Sequence, residues 1–223
     1  VRPFGGRPLI AYSIALARSV SGIDRCLVST DDPEIAAIAR RWGAELIDRP
    51  AELATDTATT ASVARHALER AAASGAAPRT LVTLQPTNPL RTVEMVEEGL
   101  ALFLGRRPDS VVSVAPVTSK TGSVRNGFYL PDYVPGTRSQ DLAERVHETG
   151  QLYVSDAALV LERGELFGTR MLALRTDPRF ASADIDTAED FELAESLYAR
   201  YRHLFPYMES ASLNAALADI AHA

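Results

Sequence analysis

Residues 24–47 run DRCLVSTDDPEIAAIARRWGAELI, and this stretch decides the fold class. Residues 24–30 (DRCLVST) make a short apolar run suited to a strand. Asp32-Pro33-Glu34 then reads as a helix start. Asp is a good N-cap, Pro at the first turn gives up an N–H that has no partner there, and an acid complements the positive helix end. The helix runs through IAAIARRW and stops at Gly43, and residues 44–47 suit a second short strand. Strand, helix and strand in direct succession predict a crossover unit of an α/β sheet.

Working outward, the same alternation continues in both directions. Residues 8–19 (PLIAYSIALARS) put Leu9, Ile10, Ile14 and Leu16 on one helical face. Residues 49–60 (RPAELATDTATT) are polar and long for a connection between packed elements, which marks a candidate functional loop. A helix is expected over 61–73, a buried strand over 80–84, a helix over 92–104 and a β-branched strand over 110–115. The rhythm breaks at 117–148, where Gly, Pro, Asn, Ser and charge dominate; hairpins or an arm outside the main sheet are expected there. Strand returns at 149–154 (TGQLYV), helix at 156–161 and strand at 170–174. An amphipathic helix over 187–201 opens with Thr-x-x-Asp, a near relative of the capping box. Residues 206–223 suit one more short helix. The expected fold is α/β: a doubly wound, mostly parallel Rossmann-like sheet with a small protruding arm. The domain would span 1–204, with a tail over 205–223. In such sheets ligands sit outside the carboxyl ends of strands. That points to STDD (29–32), LQPTNPLR (84–91) and the loop before DID (184–186).

Composition narrows the function classes. The 223 residues are 46% hydrophobic and 23% charged, as in a folded domain, and the net charge is −6. That balance argues against a nucleic-acid binder relying on phosphate neutralisation, though not against an enzyme with a local cationic site. No stretch approaches the ~18 apolar residues of a membrane span. With one cysteine, Cys26, and no export leader in view, a cytoplasmic protein is expected. Cys26 itself reads as an inert core residue. All but one of the 23 cations are arginine, the exception being Lys120; a GC-rich coding bias accounts for the scarcity but not for the survivor.

Several constellations carry possible chemistry. In extended chain, Asp184 and Asp186 face one side, and two carboxylates can hold a hard cation such as Mg²⁺. The plainer alternative is that Asp186 helps Thr187 start the next helix. Gln85 and Thr87, in a turn stiffened by Pro86 and Pro89, can offer donors and acceptors to a polar ligand. Arg91 could pair with an anion or make a surface salt bridge. The loop 49–60 offers an arginine and small hydroxyl side chains to a base and ribose; alternatively it is a solvated loop in which Asp56 or Thr57 caps the next helix. The histidines form no zinc pattern, and no Ser-His-Asp set is evident. His66 reads as structural, while His147 lies near Gly150 and Tyr153 in sequence and is a candidate to face a ligand.

Taken in order, PFGGRPLIAYSI, VSTDDPEIA, RPAELATDTATT, LQPTNPLR, GQLYV and DIDTAEDF resemble the acylneuraminate cytidylyltransferase family, from position 3 to about 198. That resemblance implies transfer of a cytidylyl group from CTP to a nonulosonic acid, giving a CMP-sugar and pyrophosphate. It implies that Arg49, Ala58 and Thr60 surround the cytosine and ribose. Gln85, Thr87, Gln151, Tyr153 and Phe167 would line the sugar, and Asp184 and Asp186 would hold Mg²⁺. In the family the irregular arm reaches across a homodimer, which makes Lys120 and Arg138 candidate catalytic cations for a partner's site. The family also begins with a strand and a cation-bearing signature loop that would lie ahead of Val1, so an N-terminal piece is expected to be missing from this sequence. TRSQDL (137–142) with HETGQ (147–151) resembles the pseudaminate-activating branch, whereas LQPTNPLR resembles the sialate or legionaminate branch. The rival expectations are a cytidylyltransferase for an eight-carbon ulosonate and an inactive dimeric binding module. A glycosyltransferase would need its DxD nearer mid-chain.

Overall fold

The computed structural model describes residues 2–75 and 77–211. A short hairpin opens it, β1 (Pro3–Phe4) and β2 (Arg7–Pro8), turned by Gly5 and Gly6 at φ 52° and 81°. Helix α1 (Leu9–Ser19) follows. The stretch that decides the fold class forms β3 (Leu27–Thr30), α2 (Pro33–Arg41) and β4 (Glu45–Asp48). Asp32 caps α2 as expected, its carboxylate accepting from the Glu34 and Ile35 amides at 2.7 and 3.0 Å. The crossover makes β3 and β4 parallel, Leu27 opposite Glu45.

Helix α3 (Thr60–Ala73), β5 (Thr80–Thr83), α4 (Val93–Arg106) and β6 (Ser110–Pro116) continue the alternation. Thr59, not Asp56 or Thr57, caps α3, accepting from Ser62 at 3.2 Å. After the arm come β9 (Val146–Asp156), α5 (Ala157–Arg163), β10 (Met171–Arg175) and α6 (Ala188–Tyr201). Thr187 and Asp190 form a full capping box at the start of α6.

The expectation of a mostly parallel sheet needs correction. A four-stranded sheet has the order β10-β6-β9-β5; β10 and β6 are parallel, but β9 runs antiparallel to both β6 and β5. The reason lies in the connection. Chain leaving β6 loops through the arm and comes straight back, with no crossover helix to reverse it. Strands β3 and β4 form a separate two-stranded sheet, and no ladder joins β3 to β5 among the described residues.

Within β9 the register jumps. Val112 pairs with Tyr153, yet Val114 pairs with Glu148, so β9 carries three more residues than β6 over this interval. Ser113 holds the displaced segment: its hydroxyl accepts from the Thr149 hydroxyl at 3.0 Å and from the Leu152 amide at 2.9 Å. Gly150 sits in this bulge at φ 68°.

The main core joins α1, α4 and α6 to the sheet through residues such as Tyr12, Leu16, Val96, Leu100, Leu152, Leu174 and Phe191. A smaller cluster, with Leu68 and Val160, ties α3 to α5. Phe205, Tyr207 and Met208, expected in a separate tail, are buried in the main core. The remainder of the helix expected over 206–223 falls mostly on residues 212–223, which lie outside the described residues. The arm contains one hairpin, β7 (Gly122–Arg125) and β8 (Phe128–Pro131), turned by Asn126 and Gly127 in the left-handed region.

Candidate functional site

Some of the indicated residues meet at the carboxyl end of β5. Two prolines stiffen the exit from this strand, and the Asn88 amide donates to the Gln85 carbonyl at 3.1 Å, making a tight turn. The turn is fastened to the segment before α6 at two points. The Ile185 amide donates to the Thr87 carbonyl at 2.9 Å, and the Asn88 side-chain amide donates to Asp184 Oδ1 at 2.9 Å. The β9 bulge closes the third side. A Cβ on Gly150 would stand 3.1 Å from Asn88 Nδ2, 3.3 Å from Gln85 Oε1 and 3.6 Å from Asp184 Oδ2. Glycine is required here both by the backbone angle and by this approach.

Tyr153 lies three residues along β9, half-buried, its ring edge-on to Phe167 with centroids 5.1 Å apart. Burial raises the Tyr153 phenol above its ordinary range, and the Glu148 and Asp184 charges add to that. Gln85, Thr87, Tyr153, Phe167 and Asp184 are thus linked in one region. Asp186 is exposed just before the N-cap of α6, its backbone amide donating to Asp190 at 3.2 Å.

Other indicated residues fall elsewhere. Gln151 is 2% exposed, and its side chain donates to the Phe180 carbonyl at 2.6 Å; it is spent inside the core and does not face a ligand. Arg91 makes no surface salt bridge. It is 1% exposed and donates to the Gln151 carbonyl at 3.0 Å and to the Ser13 hydroxyl, while its own carbonyl accepts from Tyr207 at 2.8 Å. Burial pulls its pKa down to about 10, so it remains a cation. Arg49 follows β4 and lies against the end of β3, donating to the Ser29 hydroxyl at 3.3 Å and to the Ser29 carbonyl. With Thr30, Asp32 and Arg40 it lines a groove of about 360 Å³. Ala58 and Thr60 stand at the start of α3, where the Ala58 amide donates to the Thr55 carbonyl at 3.0 Å.

Lys120 and Arg138 lie in the arm. The Lys120 ammonium stands 5.3 Å from the Tyr133 ring centroid, and Arg138 pairs with Asp141 at 2.6 Å. Neither shares a hydrogen bond or ion pair with Asp184 among the described residues. A larger cavity of about 560 Å³ lies in the arm between Val117 and Arg145, lined by none of the indicated residues. His147 pairs with Ala115 in the ladder and is exposed. Cys26 is partly buried, its thiol pushed up to about 11 by burial, and so is unreactive.

Among the described residues no three or more His, Cys, Asp or Glu side chains are grouped to hold a metal. Asp184 and Asp186 alone suit Mg²⁺, which is commonly bound by one or two carboxylates, waters and substrate phosphates. Their hard oxygen donors fit that ion and not zinc.

A profile described as cytidylyltransferase matches residues 1–207. The chain belongs to this family. Among relatives of this cytidylyltransferase, the N-acylneuraminate cytidylyltransferase of Escherichia coli O18:K1:H7 is 30% identical over 196 residues, 84% of this chain but 45% of that protein. The pseudaminic acid cytidylyltransferase of Campylobacter jejuni is 28% identical, covering 87% of each chain. The CMP-N,N'-diacetyllegionaminic acid synthase of Legionella pneumophila is 29% identical, covering 88% of this chain and 87% of that one. The cytidylyltransferase thus spans less than half of the first relative and most of the other two. Its fold is that of CMP:2-keto-3-deoxy-manno-octonic acid synthetase solved with CTP, at TM-score 0.63 and 15% identity over 89% of this chain and 90% of that one. It is also that of 4-diphosphocytidyl-2C-methyl-D-erythritol synthase from Anaerococcus prevotii, at 0.65 and 13% over 89% and 88%. No helix among the described residues is long and apolar enough to cross a membrane.

Sequence reading did not single out Asn88, Arg91's burial or the β9 bulge. Gly150 standing between HET and QLYV was the available signal for the bulge.

Proposed function

We propose that this chain joins CTP to a nonulosonic acid of the sialic, legionaminic or pseudaminic type, giving the CMP-sugar and pyrophosphate. The observation that carries this reading is the convergence of Gln85, Asp184 and Gly150 at the carboxyl end of β5, with Tyr153 beside them. A sugar acid is rich in hydroxyls and carries a carboxylate. Gln85 and Thr87 offer it neutral donors and acceptors, and the Tyr153–Phe167 pair offers an apolar wall.

In the reaction the anomeric hydroxyl oxygen bonds to the α-phosphorus, the bond from that phosphorus to the bridging oxygen breaks, and pyrophosphate carries away the electron pair. The hydroxyl proton passes to solvent. Asp184 and Asp186 would hold Mg²⁺, which when bound offsets phosphate charge. Arg49 orients the pyrimidine nucleotide at the end of β3, with Ala58 and Thr60 leaving room for it. The enzyme acts as a cytoplasmic homodimer, the arm of each protomer meeting the other and bringing Lys120 and Arg138 to the partner's site.

Pyrophosphate release from CTP, measured with N-acetylneuraminic, legionaminic, pseudaminic and eight-carbon ulosonic acids, tests the reading. Turnover with at least one nine-carbon acid is expected. Turnover confined to the eight-carbon acid, or CTP binding without turnover, would overturn it.

A further inference from the structure

Asp184 has a neutral amide for a partner although a guanidinium lies close by. Arg91 is within electrostatic reach of Asp184, but its hydrogen bonds go to Ser13 and to the Gln151 carbonyl. Asn88, 1% exposed, makes the contact instead, across 96 residues of chain. An ionised carboxylate only accepts hydrogen bonds, so the amide nitrogen must face it. The amide oxygen, Oδ1, is then buried with no partner, which costs stability and is tolerated in few native positions. An interior chosen for stability alone would not place an asparagine there.

We propose that Asn88 is a positioning residue for Asp184. Its amide engages Oδ1 and leaves Oδ2 as the free acceptor facing Gly150, orienting the carboxylate without cancelling its charge. A cationic partner in its place would pair with the carboxylate and neutralise the charge a cation needs. Gly150 belongs to the same device, because a side chain there would press on both Asn88 Nδ2 and Gln85 Oε1. The inference rests on the reading of Asp184 as a cation ligand.

The test is Asn88→Leu, which keeps the side-chain shape and removes the donor together with the orphaned oxygen. Mn²⁺ affinity in the presence of CTP, read by electron paramagnetic resonance, should weaken about tenfold, the size typical for loss of a ligand's hydrogen-bonded support. The melting temperature should hold or rise. Asn88→Asp, which places a like charge against Asp184, should also turn its carboxylate away. Affinity within twofold of wild type in Asn88→Leu would overturn the proposal. So would a fall in melting temperature with affinity unchanged, the result of a merely structural role. If wild type binds no Mn²⁺, the cation reading fails by itself, and crystal structures of wild type and Asn88→Leu decide the positioning. One Asp184 rotamer in wild type and several in the variant support it; the same single rotamer in both overturns it.

Discussion

The cluster around Asp184 and the hairpin of the arm are opposites. At Asp184, a turn, a bulged strand and the segment before α6 interlock, and Asn88, Arg91 and Gln151 have almost no exposed surface. In the hairpin, β7 and β8 pair only with each other, and Val124, Phe128 and Tyr129 are 74, 73 and 53% exposed, with Val134 at 75% nearby. The first region is finished by its own chain. The second shows water apolar side chains on both of its faces, Val124 opposite Tyr129 on one and Phe128 on the other, and exposed apolar area of this kind suits an interaction site. Under the function proposed above, the region of Asp184 stands preformed in the single chain, and the arm is the part that association would complete.

The sharpest way to break this contrast is Arg91→Ala. The loss leaves the Ser13 hydroxyl and the Gln151 carbonyl unpaired around a cavity, and about 3–5 kcal/mol of stability should go, read by urea unfolding. Next comes Asp184→Asn. Turnover should fall about a hundredfold, some 2.7 kcal/mol of barrier, with the melting temperature unchanged. A comparable fall in Asp186→Asn would confirm that the pair works together; wild-type turnover there would remove Asp186 from the site.

Val124→Ser with Phe128→Ser probes the other side. If the arm is buried between protomers, losing the apolar contact should cost about 2 kcal/mol of self-association, seen by light scattering as dissociation at micromolar concentration. The melting temperature of the monomer should barely move. Gly150→Ala is expected to cost about 1–2 kcal/mol in stability and to lower turnover, because it strains a left-handed position and crowds Asn88.

The smallest effect concerns the capping box. The Thr187 hydroxyl and amide hold the Asp190 carboxyl below the usual carboxylate range. Its contribution is therefore fully present above the ordinary aspartate value near ~3.9 and is lost as pH falls through the lower folded value. The melting-temperature gap between wild type and Asp190→Asn should be widest above pH ~5 and should close on acidification.

What sequence alone made legible was local. Asp32 with Pro33, and Thr187 with Asp190, cap helices through contacts three residues apart or fewer, so spacing was enough. The antiparallel course of β9 depends on where the arm returns, which no local pattern encodes. LQPTNPLR marked the turn that meets Asp184, but emphasis fell on Gln85 and Thr87, and the residue bonded to Asp184 is the one after them. That contact joins positions far apart in the chain, and nothing near Asn88 announces it. Arg91 misled for a different reason: an arginine is seldom fully buried, so exposure was the natural expectation. Gln151 misled because it stands between a bulge and a strand, where a shift of a few residues exchanges cleft for core.

The bulge in β9 has a further consequence. Val112–Tyr153 and Val114–Glu148 flank it, and an unbroken antiparallel ladder would set residue 151 opposite Val114. Excising residues 149–151 would therefore join the two halves of the strand with every partner on β6 kept and every side chain on its present face. The sheet is complete without the segment that brings Gly150 to Asp184. The bulge behaves as a three-residue insertion that leaves the strand pairing untouched, while Gln151 within it serves the core through Arg91 and the Phe180 carbonyl.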